Sequence, residues 1–338
     1  MQKNKEVWLV TGAAGFIGMH VCQMLLAQGK VVVGIDNLND YYDVSLKVAR
    51  LRSLERASGF EFCRTDVADA DAVGSLFETK RPDYVVHLAA QAGVRYSLIN
   101  PQAYVESNIQ GFLNILEGAR HHPVKHLVYA SSSSVYGANT VMPFAESHNV
   151  DHPVSLYAAT KKSNELMAHA YSHLFQIPST GLRFFTVYGP WGRPDMAPML
   201  FIDAILKNRP IDVFNNGQMT RDFTYVDDIA EAVLRVAAKP PAPDRASTDG
   251  APDRSGAPYR VFNIGNGAPT QLLEFIGALE AALGKKAVLN YLPMQPGDVQ
   301  MTSASVEKLQ DWISFRPSTP VQKGVENFVN WHRKYNNI

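Results

Sequence analysis

The chain has 338 residues, with 32 Lys and Arg against 32 Asp and Glu. Hydrophobic residues make up 46% and charged residues 19%, which is enough apolar material for about two domains or one large one and no bias toward disorder. A formal net charge of zero excludes a broad basic field for holding nucleic acid, and no run approaches the ~18 uninterrupted apolar residues of a membrane span.

Val7–Thr11 reads as a buried strand and Phe16–Gln28 as the helix that follows it, with Gly29 as its stop. Val31–Asp36 and Phe60–Val67 read as further strands, and Asp69–Thr79 as a helix. Tyr84–Ala90 is so continuously apolar that a strand buried on both faces is expected. Pro101 suits the first turn of a helix running to His121; His126–Ser132 is then a strand, Leu156–Phe175 a helix and Thr180–Tyr188 a strand. Strands alternating with helices imply crossover units and a doubly wound parallel sheet of Rossmann type over residues 1–188.

After Tyr188 the pattern loosens. Pro190, Pro194, Pro198 and Pro210 punctuate a short helix around Met199–Asn208, and Ile229–Ala237 reads as another helix. The stretch 239–258 holds five prolines and is expected to be an exposed, mobile loop. Tyr259–Ile264 then reads as a strand and Gln271–Leu283 as an amphipathic helix. Cys22 and Cys63 lie in apolar stretches without metal-ligand spacing, so neither a disulfide framework nor a metal site is expected, and a reducing cytoplasm fits best. The first ten residues run straight into a strand, so no secretory leader is expected either.

Between the first strand and the first helix lie Gly12, Gly15 and Gly18, spaced G-x-x-G-x-x-G. Gly12 would permit a tight turn, Gly15 the close approach of a pyrophosphate, and Gly18 close packing of helix on sheet. Asp36 ends the next strand 18 residues after Gly18, near the ~20 expected of the acid that binds an adenosine ribose. A carboxylate there repels a 2′-phosphate, and Asn37 follows instead of an arginine, so NAD is favoured over NADP.

Tyr157 and Lys161 are four apart on a helical segment and share one face. A phenol titrates near pH 10, so an adjacent ammonium is expected to draw Tyr157 toward use as a base. The strand before them ends in four serines, Ser131 to Ser134, one of which could share a reacting oxygen with Tyr157. His87, mid-strand, reads as a core histidine; Asp227 and Asp228 read as a helix cap; Phe112, Ile115, Leu116 and Ala119 read as a core or subunit-contact stripe.

TGAAGFIG, HLAA, the serine run before VYG, and YAATK together resemble the extended short-chain dehydrogenase/reductase family. AGVRYSLINP (92–101), RFFTVYGPWGRPDMAPMLF (183–201), TRDFTYVDDI (220–229) and MQPGDV (294–299) are most similar to its nucleotide-sugar epimerases, in particular those acting on UDP-glucuronate. The resemblance covers nearly the whole chain and implies roles. Tyr157, Lys161 and Ser132 would be catalytic. Phe16, Ile17 and Asn37 would join the glycines and Asp36 around NAD, with Asp66 and Val67 flanking the adenine and Leu88, Ala89 and Ala90 lining the cofactor's path. Asn108 would be the buried helix asparagine supporting the site, and is counted with the cofactor residues. Arg193, Arg221 and Asp298 would meet phosphates, uracil or ribose of a UDP-sugar, and Arg95 would be a further anion contact. A homodimer through the helices carrying Asn108 and Tyr157 is also implied, as is a smaller α/β substrate-binding domain formed mainly by residues 189–338, with segments near 225–238 and 259–266 returning to the first domain.

Sister enzymes that dehydrate the sugar carry an Asp-Glu pair directly after the catalytic hydroxyl, and those that decarboxylate it carry a Glu near there; this chain has Ser133 and Ser134. With Ser132 and Thr186 they could instead donate hydrogen bonds to a sugar carboxylate. Expected, then, is NAD-dependent epimerisation at C4 of UDP-glucuronate. The alternatives are an epimerase of another UDP-hexose or UDP-N-acetylhexosamine and a non-catalytic nucleotide sensor.

Overall fold

The computed structural model describes residues 5–244, 250–295 and 299–338. In chain order the strands are β1 (Val7–Thr11), β2 (Val31–Asp36), β3 (Phe60–Arg64), β4 (Tyr84–His87), β5 (His126–Ser132), β6 (Ser179–Phe184), β7 (Thr186–Tyr188), β8 (Pro210–Val213), β9 (Thr220–Arg221), β10 (Phe223–Tyr225), β11 (Tyr259–Ile264), β12 (Thr270–Gln271) and β13 (Val288–Tyr291). The helices are α1 (Phe16–Ala27), α2 (Val44–Leu54), α3 (Ala70–Lys80), α4 (Pro101–Tyr104), α5 (Gly111–His121), α6 (Leu156–Phe175), α7 (Ala197–Leu206), α8 (Val226–Ala237), α9 (Leu272–Leu283), α10 (Glu307–Ile313) and α11 (Val321–Asn336).

Seven strands form one parallel sheet in the order β11-β6-β5-β4-β1-β2-β3. The chain adds strands outward from β1 toward β3, then returns to β4 on the other side. That reversal opens a crevice beyond the carboxyl ends of β1 and β4, where ligands bind in such Rossmann-type folds. Both sheet faces are covered, which is why the central strands β1, β2 and β4 are largely apolar. Met19, Leu25, Ile229 and Val233 of α1 and α8 pack on one face. Val73, Phe77, Phe112, Ile115 and Ala168 of α3, α5 and α6 pack on the other. The Phe112 stripe is therefore core within one chain. A separate apolar cluster joins Phe201, Phe223, Phe275, Leu279 and Phe328, binding α7, β10, α9 and α11 together. Small two-stranded sheets, β7 with β10, β8 with β13 and β9 with β12, complete this second unit.

Several expected elements end early, for reasons of pairing. β3 stops at Arg64 because β2, its sole neighbour in the sheet, offers its last partner at Asp36. β4 stops at His87, opposite the last residue of β1. The Thr11 hydroxyl then takes the Leu88 and Ala89 N–H groups at 3.1 and 3.0 Å. The expected strand 180–188 breaks at Phe185, whose N–H goes to the Ile264 carbonyl, and β7 leaves the main sheet to pair with β10. The expected helix 101–121 contains a wider π turn over Val105–Gln110. α2 has no counterpart among the predicted elements; it begins on Asp43, whose side chain accepts from Ser45 N.

Two expectations need correction. Residues 239–258 are not wholly exposed: Asp253 and Ala257 are buried, and Asp253 Oδ2 pairs with Lys308 Nζ at 2.7 Å; residues 245–249 lie outside the described residues. Asp227 and Asp228 fall in the first turn of α8 but do not cap it. Asp227 pairs with His20 at 3.1 Å, and Asp228 accepts from Ser318 and Thr319. No helix among the described residues is long and apolar enough to cross a membrane.

Candidate active site

The crevice predicted by the sheet order is lined by the glycine loop, the ends of β2, β4 and β5, the start of α6 and the segment from β6 to Met196. Gly12 has φ 70°, and a Cβ there would lie 2.8 Å from the Ala89 backbone nitrogen. One on Gly18 would lie 2.0 Å from the Gly12 carbonyl oxygen. Only glycine lets the loop turn this tightly against β4 and lets α1 start this close to it. Gly15 precedes α1, and no side chain caps that helix. Its amino-terminal N–H groups, with the positive end of the helix dipole, are thus free to meet an anion.

Asp36 is held by its neighbours, accepting from Ala14 N at 3.2 Å and Leu38 N at 2.9 Å. Burial raises its carboxyl above the usual range, while the Leu38 N–H and the charge of Lys47 pull the other way. Lys47 and Arg50, both on α2, are buried, Lys47 on the crevice wall and Arg50 behind it. Arg50 donates to the Ala14 carbonyl at 3.0 Å and to those of Trp191 and Gly192 at 2.6 and 3.3 Å. It so ties the glycine loop to the segment carrying Arg193.

Ser155 caps α6, accepting from Ala158 N at 3.1 Å, and so sets the start from which Tyr157 and Lys161 face the crevice. Lys161 is buried, and burial pushes its ammonium down to about 8 against the pull of Glu165. Burial likewise pushes the Tyr157 phenol up, while a hydrogen bond from Ser132 and the charge of Arg193 draw it back. Arg193 thus adds a second positive charge near Tyr157, one that the four-residue spacing to Lys161 did not announce. Ser134 N donates to Ser132 Oγ at 3.1 Å, fixing that hydroxyl beside the phenol. Ser133, Ser134 and Thr186 line the same stretch of wall. Ser131 instead donates to buried Glu165 at 2.7 Å, and Glu165 forms a two-point pair with Arg183 at 2.8 and 2.9 Å. That pairing holds the Glu165 carboxyl below its usual range although burial opposes it.

Most of the residues singled out from sequence converge on this one crevice: Gly12, Gly15, Phe16, Ile17, Gly18, Asp36, Asn37, Val67, Leu88, Ala89, Ala90, Ser132, Ser133, Ser134, Tyr157, Lys161, Thr186 and Arg193. Four others sit off its wall. Asp66 accepts from Asn37 Nδ2 at 2.9 Å and acts behind it. Asn108 is buried in the π turn, exchanging bonds with the Gln91 backbone at 2.8 and 3.1 Å and donating to Thr160 at 3.0 Å. It braces the Gln91 loop against α6 and faces no ligand space. Arg95 lies over the Phe214 ring at 5.1 Å, and Arg221 donates to the carbonyls of Thr220 and Gln300. Asp298 lies outside the described residues. His87 is a core histidine, bonded to Thr11 at 2.8 Å and pushed by burial down to about 3. Sequence reasoning missed Thr11, Tyr41, Lys47, Arg50, Gln91 and Asp195; of these only the charged run around Lys47 and Arg50 left a local trace.

The model of the NAD dependent epimerase/dehydratase family matches residues 8–265. Protein CapI of Staphylococcus aureus is 55% identical over 97% of this chain and 98% of its own length. A probable UDP-glucuronate 4-epimerase of Rhizobium meliloti is 50% identical over 96% of each. Among solved structures, the UDP-glucuronic acid 4-epimerase of Bacillus cereus, in complex with UDP-glucuronic acid and NAD, superposes with a TM-score of 0.86 at 35% identity, covering 97% of this chain and 99% of that one. The chain belongs to the NAD-dependent epimerase/dehydratase family of extended short-chain dehydrogenases/reductases.

Proposed function

We propose that this protein is an NAD-dependent epimerase that interconverts UDP-glucuronate and UDP-galacturonate at C4. The observation that carries the reading is the wall beside Tyr157. There Ser132, Ser133, Ser134 and Thr186 line the crevice, with no carboxylate at 133 or 134 to act on C5 or C6.

The crevice fits NAD on its own features: glycines that no Cβ could replace, an uncapped helix start, and an Asp36 carboxylate fixed by two N–H groups. The glycine loop would hold the pyrophosphate and Asp36 the adenosine ribose. A nicotinamide held there would supply the hydride acceptor for sugar C4 and the hydride source for its opposite face. Tyr157 takes the proton from the 4-hydroxyl and gives it back, and Ser132 shares that oxygen. Lys161, near neutrality at about 8, supplies its charge at the base of the pair. The 4-keto sugar so formed is a β-keto acid and prone to lose CO₂. Ser133, Ser134 and Thr186 hold its carboxylate by hydrogen bonds, keeping the C5–C6 bond near the ring plane, where it overlaps poorly with the ketone π system.

Residues 189–338 act mainly as the substrate-side unit. The protein works as a cytoplasmic homodimer, a reading supported by two free cysteines and by the exposed Leu98, Ile99, Val105 and Leu166 along the 95–105 and α6 faces. Incubating the purified protein with UDP-glucuronate and no added nicotinamide tests the central reading. UDP-galacturonate is the expected product; bound NAD without turnover would instead favour a nucleotide sensor.

A further inference from the structure

Three loops meet at the mouth of the crevice through a chain of polar contacts. Tyr41 comes from the loop after β2, Gly93 from the loop after β4, and Arg193 and Asp195 from the loop between β7 and α7. Arg193 Nε donates to Asp195 Oδ1 at 3.0 Å and Nη2 to Oδ2 at 2.5 Å, a side-on two-point pair. The Tyr41 hydroxyl donates to the same Oδ2 at 3.1 Å. Gly93 sits at φ 101°, where a Cβ would lie 2.9 Å from the Tyr41 hydroxyl and 3.6 Å from Arg193 Nη2. The junction therefore closes with no room for a side chain at 93.

A guanidinium is a rigid fork of five N–H donors. Asp195 takes its Nε–Nη2 edge, which leaves the Nη1 end pointing away from Asp195. Arg193 lines the crevice, and its charge is felt at the Tyr157 phenol, so it stands at the sugar end of the site. We propose that Asp195 is a positioning residue that aims Arg193 at the sugar carboxylate, and that Tyr41 holds Asp195 in place from the opposite wall. The proposal rests on reading the crevice as a UDP-glucuronate site. A free arginine side chain samples many rotamers, and a two-point carboxylate pair removes that freedom before substrate arrives. Because Tyr41 also lines the crevice close after Asp36, the contact joins the nucleotide-side loop to the sugar-side arginine.

The test compares Asp195→Asn, Asp195→Glu and Tyr41→Phe in the holoenzyme, with melting temperature and bound nucleotide checked first. Dissociation constants for UDP-glucuronate and for uncharged UDP-glucose are measured alongside KM and kcat. Asp195→Asn is expected to weaken UDP-glucuronate about tenfold and UDP-glucose by less than about threefold, the order seen when a partner orienting a ligand-binding group is lost. KM should rise more than kcat falls. Asp195→Glu should recover most of the loss, and Tyr41→Phe should show a smaller loss in the same direction. Equal weakening of both sugars would mean a structural role, and tighter UDP-glucuronate binding would mean that Asp195 competes with substrate; either overturns the proposal. Wild-type protein that binds UDP-glucuronate without converting it would refute the proposed reaction, while the ratio of the two dissociation constants would still decide the role of Asp195.

Discussion

At the scale of single residues, the site is an arrangement of buried polar groups whose protonation follows from burial. Lys161 is held at about 8 in the fold, against an ordinary value of 10.5. Between those values the unfolded chain binds more protons than the folded one, so this group's contribution to stability rises with pH across that window. Below 8 the desolvated ammonium costs the fold about 3 kcal/mol. Lys161→Met is therefore expected to melt above the wild type at pH 7 in the nucleotide-free protein, by a margin that narrows as pH climbs past 8, and to lose activity. A lower melting temperature at pH 7 would show that contacts of the charged form outweigh its burial. The serines make a separate prediction. Replacing Ser133 and Ser134 by alanine should raise the fraction of UDP-pentose by-product several-fold, read by chromatography of the reaction mixture. An unchanged fraction would remove the carboxylate-holding role.

At the scale of elements, the buried Glu165–Arg183 pair joins α6 to β6, and Ser131 adds the end of β5 to it. The elements that carry Tyr157, Lys161 and Ser132 are so tied together under the site. Glu165→Gln should destabilise the protein by about 3–5 kcal/mol in urea unfolding, because it leaves a buried guanidinium short of its counter-charge. A loss below about 1 kcal/mol would mean that water compensates, or a rearranged Tyr136, whose hydroxyl accepts from Arg183 Nη1 at 3.0 Å. Elements whose pattern was local were legible in the sequence: β1, α1, β2, β5 and α6 all fall close to where periodicity and caps put them. Strand ends were not, since β3 and β4 stop where a neighbour's partner residues run out, which is a fact about another segment. The π turn at Val105–Gln110 was hidden for a similar reason, because Asn108 bonds to Gln91 and Thr160. α2 was missed because it alternates charge with apolar residues and buries two cations, Lys47 and Arg50.

At the scale of the whole molecule, the motifs that share a stretch of chain with their partners were read, and those that act across the fold were not. Tyr157 and Lys161 lie one helical turn apart, and Gly12 to Gly18 lie on one loop. Tyr41 and Asp195 are 154 residues apart and meet only because β2 and β7 deliver their loops to the same mouth. A chain with no net charge meets the charges of its proposed ligand locally, through a helix start, a row of hydroxyls and a few arginines placed by contacts of this kind. The exposed apolar side chains of residues 98, 99, 105 and 166 belong to the same scale, and sedimentation at micromolar concentration should report twice the chain mass. A monomer mass would leave those side chains without the proposed partner.

In the proposed reaction one C4 hydride leaves and returns within a single turnover. This is tested most directly with UDP-glucuronate carrying deuterium at C4, incubated with the protein and no added nicotinamide. UDP-galacturonate with deuterium retained at C4 and no exchange with solvent is the expected result. Product that has lost the label from C4, or that gains solvent hydrogen at C5 when the reaction is run in deuterated water, would contradict it.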